Sequence, residues 1–120
     1  MVEWELDGQP YQGLNGGHRP EHPFTEAISF SIACADQAEV DHYWERLSEG
    51  GKERPCGWLT DRFGVSWQVV PARLGELLGD PDPGRSQRAL QAMLRMRRIV
   101  VAELERAADG ADDGAGVSAP

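Results

Sequence analysis

The chain has 120 residues, 40% of them hydrophobic and 27% charged, which fits one globular domain with a modest core. A formal net charge of −8 at pH 7 works against nucleic-acid phosphates and anionic membrane surfaces, so neither is expected as a partner. No apolar run approaches the roughly 20 residues that span a bilayer. The opening Met1-Val2-Glu3-Trp4-Glu5 lacks a basic-then-apolar leader pattern, and two cysteines, Cys34 and Cys56, make no disulfide framework, so a cytoplasmic setting is expected.

Residues 2–6 alternate apolar and charged, the pattern of a half-buried strand. Asp7-Gly8 is a strong two-residue hairpin signal, and residues 9–14 read as the return strand, with Pro10 placing it at an edge. Asn15-Gly16-Gly17 stops it, and the stretch from His18 to Pro23 reads as a loop. Residues 27–34 are the clearest strand: Ile28, Phe30, Ile32 and Cys34 make a core face, while Ala27, Ser29, Ser31 and Ala33 make a small, mildly polar face suited to a cavity lining.

A helix follows, with Asp36 as N-cap, Glu39 three residues on, and Val40, Tyr43, Trp44 and Leu47 in one apolar stripe; Gly50-Gly51 ends it. Residues 56–60 and 65–70 form a second hairpin around Asp61–Gly64, with Val65, Trp67 and Val69 on one face and Ser66, Gln68 and Val70 on the other. Residues 51–55 add a short strand, completing βαβββ over 27–70. Pro71 closes the sheet, 72–78 make a short helix, residues 80–84 break the chain, and 86–107 read as helix with Leu90, Met93, Leu94 and Leu104 among its buried positions. The Gly-, Ala- and Asp-rich end reads as a disordered tail, 108–120. The fold class is α+β.

The two hairpins echo one another. Trp4-x-x-Asp7-Gly8 leads to Tyr11-Gln12, and Trp58-x-x-Asp61 with Gly64 leads to Trp67-Gln68. Read as a repeat, residues 2–14 are the closing hairpin of an earlier βαβββ unit.

Residues 1–107 resemble the later part of the PhnB-like proteins of the glyoxalase/bleomycin-resistance/dioxygenase superfamily, the vicinal-oxygen-chelate (VOC) fold. Proteins of this kind are often labelled 3-demethylubiquinone-9 3-methyltransferase. The resemblance rests on Leu14-Asn15-Gly16-Gly17, Thr25-Glu26-Ala27-Ile28-Ser29-Phe30, and Asp36-Gln37-Ala38-Glu39-Val40-Asp41-His42-Tyr43-Trp44. It continues in Cys56-Gly57-Trp58-Leu59 and in Asp61-Arg62-Phe63-Gly64-Val65-Ser66-Trp67-Gln68-Val69-Val70-Pro71. It implies two βαβββ modules curving around a pocket, often at a dimer interface, so a homodimer is expected. Against that pattern the chain lacks most of the first module: a fragment, a late start, or a form that borrows the missing half from a partner.

The resemblance also implies where a metal would sit. The late-strand Glu of active superfamily members matches Gln68, the His that opens the middle strand matches Ala27, and the echo places Gln12 as the first-module counterpart of Gln68. Ala27 has no donor, and a neutral amide is a weak ligand for a divalent ion, so no metal and no other cofactor is expected. His18 and His22 lie among Pro and Gly without further ligands, and His42 stands off the apolar stripe. Cys34 and Cys56 read as structural thiols. Trp44 and Trp67 read as packing residues. Arg85, Arg88, Arg95, Arg97 and Arg98 read as a solvated basic face. The family carries Asp where Val100 stands, so a helix break near residue 99 loses its expected cap. No Gly-rich loop joins a strand to a helix, so the methyltransferase label finds no S-adenosylmethionine cradle here.

The resulting expectation is a pocket-forming small-molecule-binding protein, with Ser29, Ser31, Ser66, Gln68 and Gln12 lining the site and no complete catalytic set. The alternatives are a metal-dependent lyase, isomerase or dioxygenase of the superfamily, the labelled methyltransferase, and a truncated copy or assembly piece without independent activity.

Overall fold

A computed structural model describes residues 1–17 and 19–110. Strands β1 (Val2–Leu6) and β2 (Gln9–Gly13) form a two-stranded antiparallel sheet of their own. Asp7 and Gly8 both take positive φ, 52° and 79°, as a tight two-residue hairpin turn requires. On one hairpin face the Trp4 and Tyr11 rings stack at 5.9 Å, and Gly13 leaves room for the Trp4 ring, 3.1 Å from where its Cβ would stand.

The main sheet contains β3 (Ser29–Cys34), β4 (Lys52–Glu53), β5 (Trp58–Thr60) and β6 (Ser66–Pro71) in the order β3-β6-β5-β4. Helix α1 (Gln37–Ser48) connects β3 to β4, so the β3–β6 pair is parallel and the rest antiparallel. This is the expected βαβββ module. Strand β3 starts at Ser29 rather than Ala27. Residues 26 and 27 are a turn instead, and Thr25 Oγ1 accepts from the Ala27 amide at 3.3 Å.

Helix α1 begins as its sequence dictates. Asp36 Oδ1 accepts from the Glu39 amide at 3.0 Å, while Glu39 Oε1 reaches back to the Ala35 amide at 2.8 Å, one residue beyond the usual capping box. Val40 and Trp44 are buried against Cys34, Leu59 and Val69, with Ile32, Leu47 and Trp67 packed around them. Tyr43 lies at the margin of that stripe, exposed and edge-on to His42. Trp44 and Trp67 thus pack α1 onto the sheet.

A second core belongs to the C-terminal helices α2 (Ala72–Leu78), α3 (Pro83–Leu94) and α4 (Val101–Ala108). Leu74, Leu77, Ala89, Ala92, Met96, Ile99, Leu104 and Ala108 bury one another, and Val70 of the sheet packs against them. The single helix expected over 86–107 is two helices. The residues between them form a bent connection tied to the 3-10 turn: Met96 O accepts from the Cys56 amide at 2.8 Å, and Arg97 O from the Gly57 amide at 2.7 Å. Ile99 is fully buried beside Gly57, where a Cβ would stand 3.1 Å from the Ile99 side chain. Leu94, expected inside, is exposed at the end of α3. Residues 111–120, most of the expected tail, lie outside the described residues, as does His18.

Candidate functional site

Helix α1 covers one face of the main sheet. The other face carries the side chains of alternate residues, and strand register arranges them in two rows. Ser29 stands opposite Ser66, Ser66 opposite Thr60, and Thr60 opposite Lys52. In the second row Ser31 stands opposite Gln68, and Gln68 opposite Trp58. Because side chains alternate along a strand, both rows face away from α1. Helices α2–α4 pack at the Val70 end of this face. The Ser29–Gln68 region beyond them is half-buried to exposed, apart from Ser66, which is buried.

The groups on this face are joined by hydrogen bonds. Gln68 Nε2 donates to Ser29 Oγ at 2.9 Å, which leaves the amide oxygen as the remaining acceptor of that side chain. Arg54, just after β4, donates its backbone N–H to Trp58 O at 2.9 Å, and this pairing holds it beside β5. Its Nη1 reaches both Thr60 Oγ1 and Ser66 Oγ at 3.4 Å, and its Nη2 meets Glu26 Oε2 at 2.5 Å. The guanidinium carbon lies 5.4 Å from the Trp58 ring centroid, within cation–π range.

The structure therefore brings together four of the five expected site residues, Ser29, Ser31, Ser66 and Gln68. Gln12 sits on the separate hairpin sheet opposite Glu3, and no hydrogen bond joins it to that cluster. Arg54, Glu26 and Thr60 were not anticipated as partners, and Trp58, which could stack on a ligand, was not assigned to the site. The alternation of Trp58 and Thr60 carried the signal for those two. Arg54 needed the pairing of a two-residue strand, which no sequence period marks.

The resemblance implies two bound groups. For a metal, the Ala27 side chain offers no donor atom and lies in a turn, and Gln68 offers only a neutral amide oxygen, a weak ligand for a divalent ion. Among the described residues no group of three or more His, Cys, Asp or Glu is placed to hold an ion. For S-adenosylmethionine, no described strand passes through a Gly-rich turn into a helix: β3 reaches α1 through Ala35-Asp36, and β6 runs directly into α2. Neither group fits. Among the thiols, Cys34 is buried beside α1, and its pKa is raised, first by burial and then by the Glu39 and Asp36 charges, which disfavours a thiolate. Cys56 is half-buried in the 3-10 turn Pro55–Gly57.

The fold and the open sheet face define a VOC-type module. A family model described as 3-demethylubiquinone-9 3-methyltransferase matches residues 1–70, and the chain belongs to that family, as a PhnB-like member of the VOC superfamily. Among solved structures, the PhnB protein from Bacillus cereus is similar at 28% identity, with a TM-score of 0.52. The match covers 58% of this chain and 62% of that one, so the chain spans less than two thirds of its solved relative. No curated protein matches.

Proposed function

We propose that this protein binds a small polar molecule on the open face of the β3–β6–β5–β4 sheet, and that a second copy of the chain completes the pocket. The observation that carries the reading is the face itself: Ser29, Ser31, Ser66, Thr60 and Gln68 share one side of the sheet, and among the described residues Gln68 and Ser29 stay half-buried and Ser31 exposed, while α2–α4 pack at the Val70 end. Small hydroxyl and amide groups on rigid strands suit recognition more than catalysis. In this reading residues 27–70 supply the binding module, 72–107 brace it, and 2–14 form a hairpin that docks on the partner.

The partner is argued from exposed apolar surface. Val2, Trp4 and Leu6 share one hairpin face by register and are all exposed, and a two-stranded hairpin is not stable alone. Phe24, Ile28, Phe30 and Phe63 are exposed near the open end of the main sheet, whose edge strand β3 has an unpaired side among the described residues. Covering these surfaces and edges favours a homodimer.

Light scattering and elemental analysis on one purified sample, followed by thermal melting against small polar molecules, test the proposal. The expected result is twice the chain mass, no stoichiometric divalent metal, and melting points raised by several degrees by some compounds. A flat response across a broad library contradicts ligand binding. Stoichiometric metal that Gln68→Ala removes favours the metal-dependent enzyme instead.

A further inference from the structure

Arg54 stands at the proposed site beside Thr60 and Ser66. The side chain is only 21% exposed, whereas its carboxylate partner Glu26 is 70% exposed. Glu26 belongs to the turn before β3, and Arg54 is held from behind by the sheet. Nη1 thus turns toward Thr60 and Ser66, the Trp58 ring lies beside the guanidinium, and Nη2 meets a single surface carboxylate. Lys52, opposite Thr60 on the same face, adds a second cation, whereas neighbouring Glu53 points to the other side and accepts from Trp44 Nε1 at 3.2 Å.

In a chain of net charge −8, two cations on one sheet face stand out against the field of the whole molecule. We propose that Arg54 is an oxyanion subsite, that Glu26 occupies it in the free protein, and that the ligand is a small organic acid whose carboxylate or phosphate displaces Glu26. This rests on the pocket reading and narrows it. A guanidinium fork held in one orientation pairs a planar oxyanion through two parallel N–H donors. The Glu26 carboxylate is itself largely exposed, so solvent offsets part of the ion pair and a second carboxylate can take its place at small cost. The Trp58 ring offers a flat apolar surface beside the charge. The Gln68 amide oxygen and the Ser31 hydroxyl stand one row further on to meet a polar substituent.

Calorimetric titration of the full chain with benzoate, phenyl phosphate and benzamide tests this. The two acids are expected to bind at least about tenfold tighter than the isosteric amide. Whichever acid binds tighter identifies the oxyanion as carboxylate or phosphate. Arg54→Gln is expected to bring the acid-to-amide ratio to about one while benzamide binding persists. Because that change also removes a partner of buried Ser66, Glu26→Gln provides an independent arm. It alters only the surface, and it is expected to tighten both acids roughly two- to fivefold with benzamide unchanged. Equal binding of acid and amide by the unaltered protein, or weaker acid binding in Glu26→Gln, overturns the oxyanion subsite and leaves the pocket standing. Binding of none of the three also overturns the oxyanion subsite, whereas the pocket itself falls only with a flat response across the broad library.

Discussion

Gly51 shows how a single missing side chain shapes the sheet. A Cβ at this position would lie 2.1 Å from the Thr60 carbonyl oxygen and under 3 Å from the Asp61 backbone, so the chain leaving α1 passes against the turn after β5 only because residue 51 is glycine. Gly51→Ala is expected to destabilise the protein by about 2–3 kcal/mol, read as a lower urea midpoint, because the obstacle is backbone and cannot rotate away. Gly16→Ala, with nothing within 4 Å of its Cβ, is the control and should stay within about 0.5 kcal/mol. An unchanged midpoint for Gly51→Ala contradicts this. At the same scale, Ser29, Ser31, Ser66 and Gln68 were legible because strand alternation alone sorts them onto one face. Arg54 and Glu26 were not, because their meeting joins residues 28 apart in sequence through a two-residue strand and a turn.

Among the elements, the boundary between α3 and α4 is where sequence and structure part. Val100 is the N-cap of α4 and has no side-chain acceptor, so local reasoning continued the helix through it. Gln37, in the first turn of α1, supplies what Val100 lacks: its Oε1 accepts from the Val101 amide at 2.7 Å, and its Nε2 donates to Ile99 O at 3.0 Å. A cap contributed from 64 residues away leaves no local signature. Gln37→Ala is expected to cost about 1–2 kcal/mol, typical of a lost cap, and to speed hydrogen exchange at the Val101 amide while the α3 amides are unaffected. Unchanged exchange at Val101 contradicts the role. By contrast α1, with both its cap and its stripe in local sequence, starts within a residue of the expectation, and β6 shows the two faces expected of it, although β5 begins at Trp58 rather than Cys56 because Pro55–Gly57 form a 3-10 turn. The β4 strand was expected only as a connection within 51–55, since two residues are too few to show a period.

At the scale of the whole molecule, extents of 57 × 29 × 23 Å describe an elongated body. Its two cores lie on opposite faces of the sheet, one between α1 and the Leu59–Val69 face, the other among α2–α4 with Val70 packed against it. The hairpin repeats the Trp-Asp-Gly-aromatic-Gln order of β5–β6, yet Gln12 does not join the Ser29–Gln68 cluster within one chain. The sequence echo predicts the hairpin itself but holds no information on what it packs against. The βαβββ order was legible from hydrophobic periods and turn signals, while the coverage of each sheet face depends on tertiary packing.

In the proposed function the ligand sits on the sheet face turned away from α1, and amide chemical-shift mapping by NMR during titration of the full chain with benzoate tests this. Saturable shifts are expected to cluster at Ser29, Ser31, Arg54, Trp58, Ser66 and Gln68, with residues at the α1–sheet contact, such as Val40 and Leu59, little affected. Shifts confined to the C-terminal helices, or no saturable shifts at all, would contradict it.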